Sequence, residues 1–267
     1  MAATASYPLL RERNLILGSL VVLAAAAWAL LAWRTRSADG DMRLTMGMGA
    51  PLFIAIWVAM MFPTAAPMIL MFARVHGARQ QRGQPFVPTW VFVGAYLVVW
   101  TAFGVLAYGV VVGADELAGR SAWLMDHAAQ IGGGVLVLAG LYQLSPLKRS
   151  CLAKCRTPLD FILGSWRDGY AGSFRMGLEH GMYCLGCCWL LFAILFPLGM
   201  MNVAAMALIT VLIFAEKSTR VGRQAGQFAA LALVVYGALV VFVPDLLPTM
   251  VDSGSMDSGI DIGGMAN

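Results

Sequence analysis

Long apolar runs separated by short polar connections make up most of this chain, and they determine its expected architecture. The runs cover residues 14–33, 50–75, 88–112, 123–144, 176–197, 199–215 and 227–247. Most of them approach or exceed the roughly 20 residues that carry an α-helix across the hydrocarbon core of a bilayer. Because a segment inside a bilayer must satisfy its own backbone hydrogen bonds, the pattern predicts an all-α polytopic membrane bundle of about seven transmembrane helices.

Composition favours a membrane protein over a soluble one. The 267 residues are 60% hydrophobic and only 12% charged, with a mean hydropathy of +0.76. A soluble protein would need far more polar surface. The formal net charge of +4 comes from basic residues in the connections, so we attribute it to orientation in the membrane and not to nucleic-acid binding. We therefore expect the lipid bilayer as a partner, and no nucleic acid.

Lysine and arginine gather in alternate connections, which indicates the orientation of the bundle. The connections after the second, fourth and sixth runs contain Arg74, Arg79 and Arg82, then Lys148, Arg149, Lys154, Arg156, Arg167 and Arg175, then Lys217, Arg220 and Arg223. Such residues are in excess on the cytoplasmic side of a membrane. We therefore expect a cytoplasmic N-terminus at residues 1–13, a transmembrane bundle over residues 14–247 and a basic cytoplasmic loop at 145–175.

Two parts of the chain stand apart from this topology. The acidic tail at residues 248–267 is rich in Gly, Ser and Asp, and we expect it to be disordered. The connection between the first two runs contains Arg34, Arg36 and Arg43, although the topology places it outside. The orientation of the first helix is therefore left open.

The fifth run carries the densest group of metal-binding residue types. It contains Glu179, His180, Cys184, Cys187 and Cys188. Residues three and four apart share a face of an α-helix, so the histidine and the cysteines form one stripe. Imidazole and thiolate suit copper(I), zinc or an iron–sulfur centre. The alternative is close packing, because free cysteine often packs like a small hydrophobic residue.

The second run combines methionines with two prolines. Met60, Met61 and Met68 lie around Pro63 and Pro67. Proline removes a backbone donor, so we expect this helix to be kinked or locally open. Thioethers at such a break could bind a soft cation. Methionine is also a flexible filler of apolar cores, so both interpretations stay open.

Three further candidates lie near the expected cytoplasmic face. Cys151 and Cys155 are spaced i, i+4 in a segment that also contains Lys148 and Arg149, and neighbouring cations favour reactive or metal-capturing thiols. The same segment could instead be a basic amphipathic helix at the lipid headgroups. Glu216 ends the sixth run and could be a ligand, a proton carrier or half of an interfacial ion pair.

As a set, these motifs resemble a bacterial family known as domain of unknown function 2182, described as predicted metal-binding integral membrane proteins. The matching segments are the block from Met60 to Met68, Tyr142–Cys155, Pro158–Gly169, Gly177–Trp189 and Met200–Lys217. Together they cover most of the chain between Ala50 and Lys217. The resemblance implies metal binding in a multi-pass protein of the bacterial inner membrane, and it says little about any reaction.

Our main hypothesis is therefore a membrane protein that binds a soft metal ion in transport, homeostasis or delivery to another membrane protein or metalloenzyme subunit. Copper is the expected metal, with zinc or iron as alternatives. The candidate ligands are His180, Cys184, Cys187, Cys188, Met60, Met61, Met68, Cys151, Cys155, Glu179 and Glu216. The sequence contains no Walker motif, dinucleotide fingerprint or evident hydrolytic triad, so an enzyme is not the expected class.

Two other functions remain open at this point. Cys184 and Cys187 form a Cys-x-x-Cys motif, and Cys151 with Cys155 is a second pair. Two dithiols on one membrane protein are also typical of thiol–disulfide electron relays. Alternatively, the Gly, Met and Cys faces could simply pack against a partner, which would make the chain a non-catalytic accessory subunit.

Overall fold

The computed structural model describes residues 6–37, 50–84, 87–199 and 202–246, and all regular structure in these ranges is helical. The prediction of an all-α protein is confirmed there. The α-helices are α1 (Ser6–Ser37), α2 (Ala50–Gln80), α3 (Thr89–Arg120), α4 (Ala122–Asp126), α5 (Ala128–Gln143), α6 (Pro146–Arg156), α7 (Pro158–Gly164), α8 (Gly169–Ala193), α9 (Leu195–Leu198), α10 (Val203–Ser218) and α11 (Gly222–Phe242), followed by a 3-10 turn at Pro244–Leu246.

Each of the seven apolar runs falls on a helix, but fewer helices meet the criteria for a membrane span. In the described ranges, α3, α11 and the segment Gly169–Leu198 are long and apolar enough to cross a membrane. A fourth span results if α5 and α6, which meet at a bend of 61°, are counted as one. The structure thus supports three to four membrane spans, and it does not show the seven spans that the sequence predicts. The predicted disordered tail lies outside the described residues.

The expected basic loop at 145–175 is largely helical. The Ser145 hydroxyl accepts a hydrogen bond from the Lys148 backbone N–H, and Pro146 occupies the first helical turn. Both features are typical of a helix N-terminus, and they start α6. Pro158 in turn begins α7. The segment is therefore helical over Pro146–Arg156 and Pro158–Gly164, and its place on the cytoplasmic side stays a prediction.

The fifth run begins and ends differently from the prediction. The helix starts at Gly169 instead of residue 176, and α8 ends at Ala193. Pro197 accounts for this end, because a proline ring clashes with the carbonyl four residues earlier in a helix. By contrast, α2 continues through Pro63 and Pro67 as one helix.

Glycines allow close approach in the pair of helices that positions α8. A Cβ atom at Gly177 would collide with the Phe92 carbonyl oxygen of α3, and one at Gly181 would lie 2.8 Å from the Val99 side chain. The absence of side chains at these two positions lets α8 lie directly on α3. The opposite side of α8 packs against α6. The cysteine face of α8 is therefore enclosed by neighbouring helices.

Candidate metal site

One face of α8 presents the predicted stripe to the interior of the bundle. His180, Cys184, Cys187 and Cys188 are all buried. Their spacing of three and four residues places them over consecutive turns of the same helix face. The structure therefore brings together the four residues that the sequence placed on one stripe.

Cys155 from α6 joins this stripe, so that thiols from two helices meet. The Cys155 thiol interacts with the thiols of Cys184 and Cys187, and the Cys188 thiol interacts with that of Cys184. The Cys187 and Cys188 thiols also donate to the Cys184 carbonyl oxygen, at 3.0 and 2.8 Å. None of these cysteines is in a disulfide. We call Cys155, Cys184, Cys187 and Cys188 the thiol cluster.

Two polar side chains from other helices contact Cys184, and a third contacts one of these two. The Lys217 ammonium of α10 lies 3.1 Å from the Cys184 sulfur and 3.4 Å from the Thr64 hydroxyl of α2. The Tyr96 hydroxyl of α3 lies 3.3 Å from the same sulfur. Cys184 is thus the point at which α2, α3, α8 and α10 meet through polar groups inside an apolar core.

Among the three candidate methionines, Met61 is the one that polar contacts connect to this centre. The Thr64 hydroxyl, which Lys217 contacts, lies 3.6 Å from the Met61 sulfur and donates to the Met61 carbonyl oxygen at 2.9 Å. Met60 and Met68 are buried in the same apolar core. The structure gives them no polar contact with the thiol cluster.

His180 lies in an aromatic enclosure one turn before Cys184. Its ring is stacked with those of Phe92 and Tyr96 and tilted against that of Phe161, with centroids 5.5 to 5.8 Å away. Neither ring nitrogen has a hydrogen-bond partner within the described part of the chain. A buried polar atom without a partner is costly. The imidazole therefore has a lone pair available for a metal ion.

Cys151 lies at the edge of the site and is only partly buried. A Cβ atom at Gly186 would lie 2.8 Å from its sulfur, so this glycine leaves room for the thiol against α8. The Tyr142 hydroxyl donates a hydrogen bond to the Gly186 carbonyl oxygen. The close approach at Gly186 places Cys151 against α8, and Cys151 also interacts with Cys187 of the thiol cluster.

The two candidate carboxylates lie elsewhere, each in an ion pair. Glu179 pairs with Arg175 at 3.1 Å on a partly exposed side of α8. Glu216 pairs with Lys148 at 2.7 Å, and both side chains are buried. Lys148 also donates to the Gln143 side-chain oxygen. The structure therefore does not bring these acids together with the thiols.

Chemically, the site is a group of soft donors and not a finished coordination shell. Within the described ranges, no three His, Cys, Asp or Glu side chains already have the arrangement of a metal site. The thiols instead contact one another and a lysine. A soft metal ion could bind by replacing these contacts with metal–sulfur bonds, and the helices that carry the thiols are already in place.

Sequence reasoning did not assign Lys217, Thr64 and Tyr96 to the site. Lys217 offered a signal, since a lysine directly after an acid at the end of an apolar run is unusual and needs a partner. Thr64 and Tyr96 are single polar residues in apolar helices. No pattern in the sequence distinguishes them from ordinary packing residues.

The comparisons with known proteins point to copper. No curated protein and no solved structure matches the chain. One family model does match, over residues 52–240, and its description is PpoB2, copper chaperone. That range contains the whole thiol cluster together with His180 and Lys217. This match agrees with the metal binding that the sequence resemblance implied. The family description does not mention domain of unknown function 2182, so that name is not confirmed. The chain belongs to the PpoB2 family of copper chaperones.

Proposed function

We propose that this protein is a membrane copper chaperone that binds a cuprous ion at the thiol cluster and His180. One observation carries the proposal: four reduced thiols from α6 and α8 meet one turn from a buried imidazole without a hydrogen-bond partner. Family membership agrees with this choice of cargo. Copper is here the ion that the protein carries.

The donor set suits copper(I) better than zinc. Thiolate, thioether and imidazole are soft or borderline ligands, which copper(I) prefers. Structural zinc sites, by contrast, are closed tetrahedra of four fixed ligands. The described residues hold no such closed group, while their thiols can rearrange. A carrier must also release its ion, and an incompletely fixed donor set favours release.

Exposed apolar side chains support a location in a bilayer. They include Leu106 and Val110 on α3, Leu208 on α10 and Phe228 on α11, and three helices are long and apolar enough to span. In a membrane these side chains would face lipid. We place the protein in the bacterial inner membrane, with seven spans and a cytoplasmic N-terminus as the proposed topology.

Transfer would proceed by exchange of ligands along the thiols. Cys151 is partly exposed and lies beside the thiol cluster. It can therefore be the first thiol that binds an incoming ion and the last that releases a departing one. Cys155 follows one helical turn later on α6. The recipient would be a metalloenzyme or a metalloenzyme subunit in the same membrane.

Titration of the full chain, purified in detergent, with copper(I) under anaerobic conditions tests this function. We expect a site that holds copper(I) against a competing chromogenic chelator and that zinc does not displace, because the donors are soft. Absence of copper binding in the folded chain would contradict the proposal. Displacement by zinc would contradict the choice of metal.

The contact of Cys155 with Cys184 and Cys187 also favours a second candidate, a thiol–disulfide redox protein. A pair of thiols on two packed helices can form a disulfide when an oxidised partner supplies one by exchange. Thiol trapping of membranes before and after a reductant separates the two functions. A reversible disulfide in the cluster of native membranes would favour redox chemistry, whereas thiols that are free in both samples favour the carrier.

A further inference from the structure

Lys217 is a buried cation whose surroundings are unusual. It lies in the last turn of α10 with 8% of its surface exposed, and its ammonium contacts the Cys184 sulfur and the Thr64 hydroxyl. Among the residues that the structure describes, no carboxylate forms an ion pair with it. The carboxylate of the adjacent Glu216 forms an ion pair with the Lys148 ammonium instead.

Among the described residues, the groups around this ammonium that can carry a negative charge are the cluster thiols and the phenol of Tyr96, which contacts Cys184. Lys217 interacts electrostatically with Cys184, Cys187, Cys188 and Cys155. A buried charge without an opposite charge is strongly unfavourable in a protein core or a membrane. The position of Lys217 is therefore explained best by an anion that forms on the thiol cluster.

We propose that Lys217 is the internal counter-ion of the copper–thiolate complex, which rests on the proposed function. When a cuprous ion binds two thiols, two S–H bonds break, two copper–sulfur bonds form and two protons leave. No electron is transferred. The ion contributes one positive charge and the two thiolates two negative charges, so the complex is a monoanion. The single positive charge of Lys217 neutralises it.

The geometry fits this role. The ammonium already lies 3.1 Å from the sulfur at the centre of the cluster, and Coulomb attraction at such a distance is strong when water is excluded. The Thr64 hydroxyl provides a second contact for the ammonium, at 3.4 Å. The ammonium can shift toward that hydroxyl when copper takes its place beside Cys184. Lys217 thus positions and neutralises the complex without being a ligand.

Four variants of the full chain test the proposal through copper(I) affinity. Lys217→Met removes the charge at similar length, whereas Lys217→Gln also retains a hydrogen-bond donor. Lys217→Arg keeps the charge. Lys154→Met makes the same chemical change at an exposed lysine on α6. Competition with a chromogenic chelator gives the affinities, and circular dichroism with size-exclusion chromatography selects the variants that fold.

We expect Lys217→Gln and Lys217→Met to bind copper(I) about 100-fold more weakly, since they leave a buried anion without its partner. Lys217→Arg and Lys154→Met should stay within about threefold of the native affinity, a change below 1 kcal/mol. If Lys217→Met does not fold, the comparison of the Gln and Arg variants decides. Native affinity in the folded Gln variant would overturn the counter-ion role while leaving the copper function intact. A native chain that binds no copper would overturn both.

Discussion

Replacing Cys184 with serine is expected to lower the copper(I) affinity of the protein by more than about 100-fold. Changes to groups that merely support a ligand commonly cost 10–100-fold in metal affinity, and Cys184 is proposed as a direct ligand. It also interacts with the other three cluster thiols. Serine is nearly the same size, so the packing of α8 should survive. Chelator competition on the purified full chain measures the effect.

Met182 offers a matched control for this change. It lies on the same helix, contains sulfur and is 59% exposed, so Met182→Leu removes a soft donor from outside the site. We expect Met182→Leu to bind copper(I) with native affinity. Equal affinity in the serine variant, the control and the native chain would rule out Cys184 as a ligand.

The second large effect concerns stability. Glu216→Leu should destabilise the fold by about 3–5 kcal/mol, because it leaves the Lys148 ammonium buried without its anion. Lys148 and Glu216 connect α6 to α10 at 2.7 Å, with side chains only 3% exposed. Unfolding with a denaturing detergent, followed by circular dichroism, provides the free energy. We expect copper(I) affinity to fall as well, because α6 carries Cys155.

Two further variants separate this interaction from general damage to the fold. The double variant Lys148→Met/Glu216→Leu removes both charges and should recover most of the lost stability, since a buried pair is often replaced by apolar residues at little cost. Glu179→Gln breaks the partly exposed pair with Arg175 and should cost less than about 1 kcal/mol. If the double variant were less stable than Glu216→Leu, the ion pair would not be the cause.

The sequence predicted the stripe on α8 well because its information is local. His180, Cys184 and Cys187 are separated by four and three residues, and helical geometry alone places them on one face. The approach of Cys155 to that face is different. It depends on the bend between α5 and α6 and on the packing of α6 against α8. Neither follows from the spacing of residues within a segment.

Two pairs of adjacent residues show that the sequence does not predict which side chain of a pair enters the site. The sequence analysis grouped Glu179 with His180 because they are adjacent, and it selected Glu216 because an acid at the end of a membrane helix could be a ligand or a proton carrier. Consecutive residues on a helix point in different directions, about 100° apart at 3.6 residues per turn. Glu179 therefore meets Arg175, and Lys217 enters the site while Glu216 faces α6.

Hydropathy identified the helices but not the number of spans. Each predicted run overlaps at least one helix, yet α10 has only 16 residues and α5 has 16, short of the roughly 20 that span a bilayer. Composition cannot distinguish a short span from a helix buried within a bundle. The sequence also predicted only a basic connection at residues 145–175, although Ser145 and Pro146 start α6 within it.

X-ray absorption at the copper edge of the loaded full chain decides whether the thiol cluster holds copper, since it reports the oxidation state and the ligand atoms together. We expect copper(I) with sulfur as the main coordinating atom, and we expect Cys184→Ser to abolish or reduce this sulfur signal. A first shell of oxygen and nitrogen alone, or a spectrum that the serine variant leaves unchanged, would contradict copper binding by the thiol cluster.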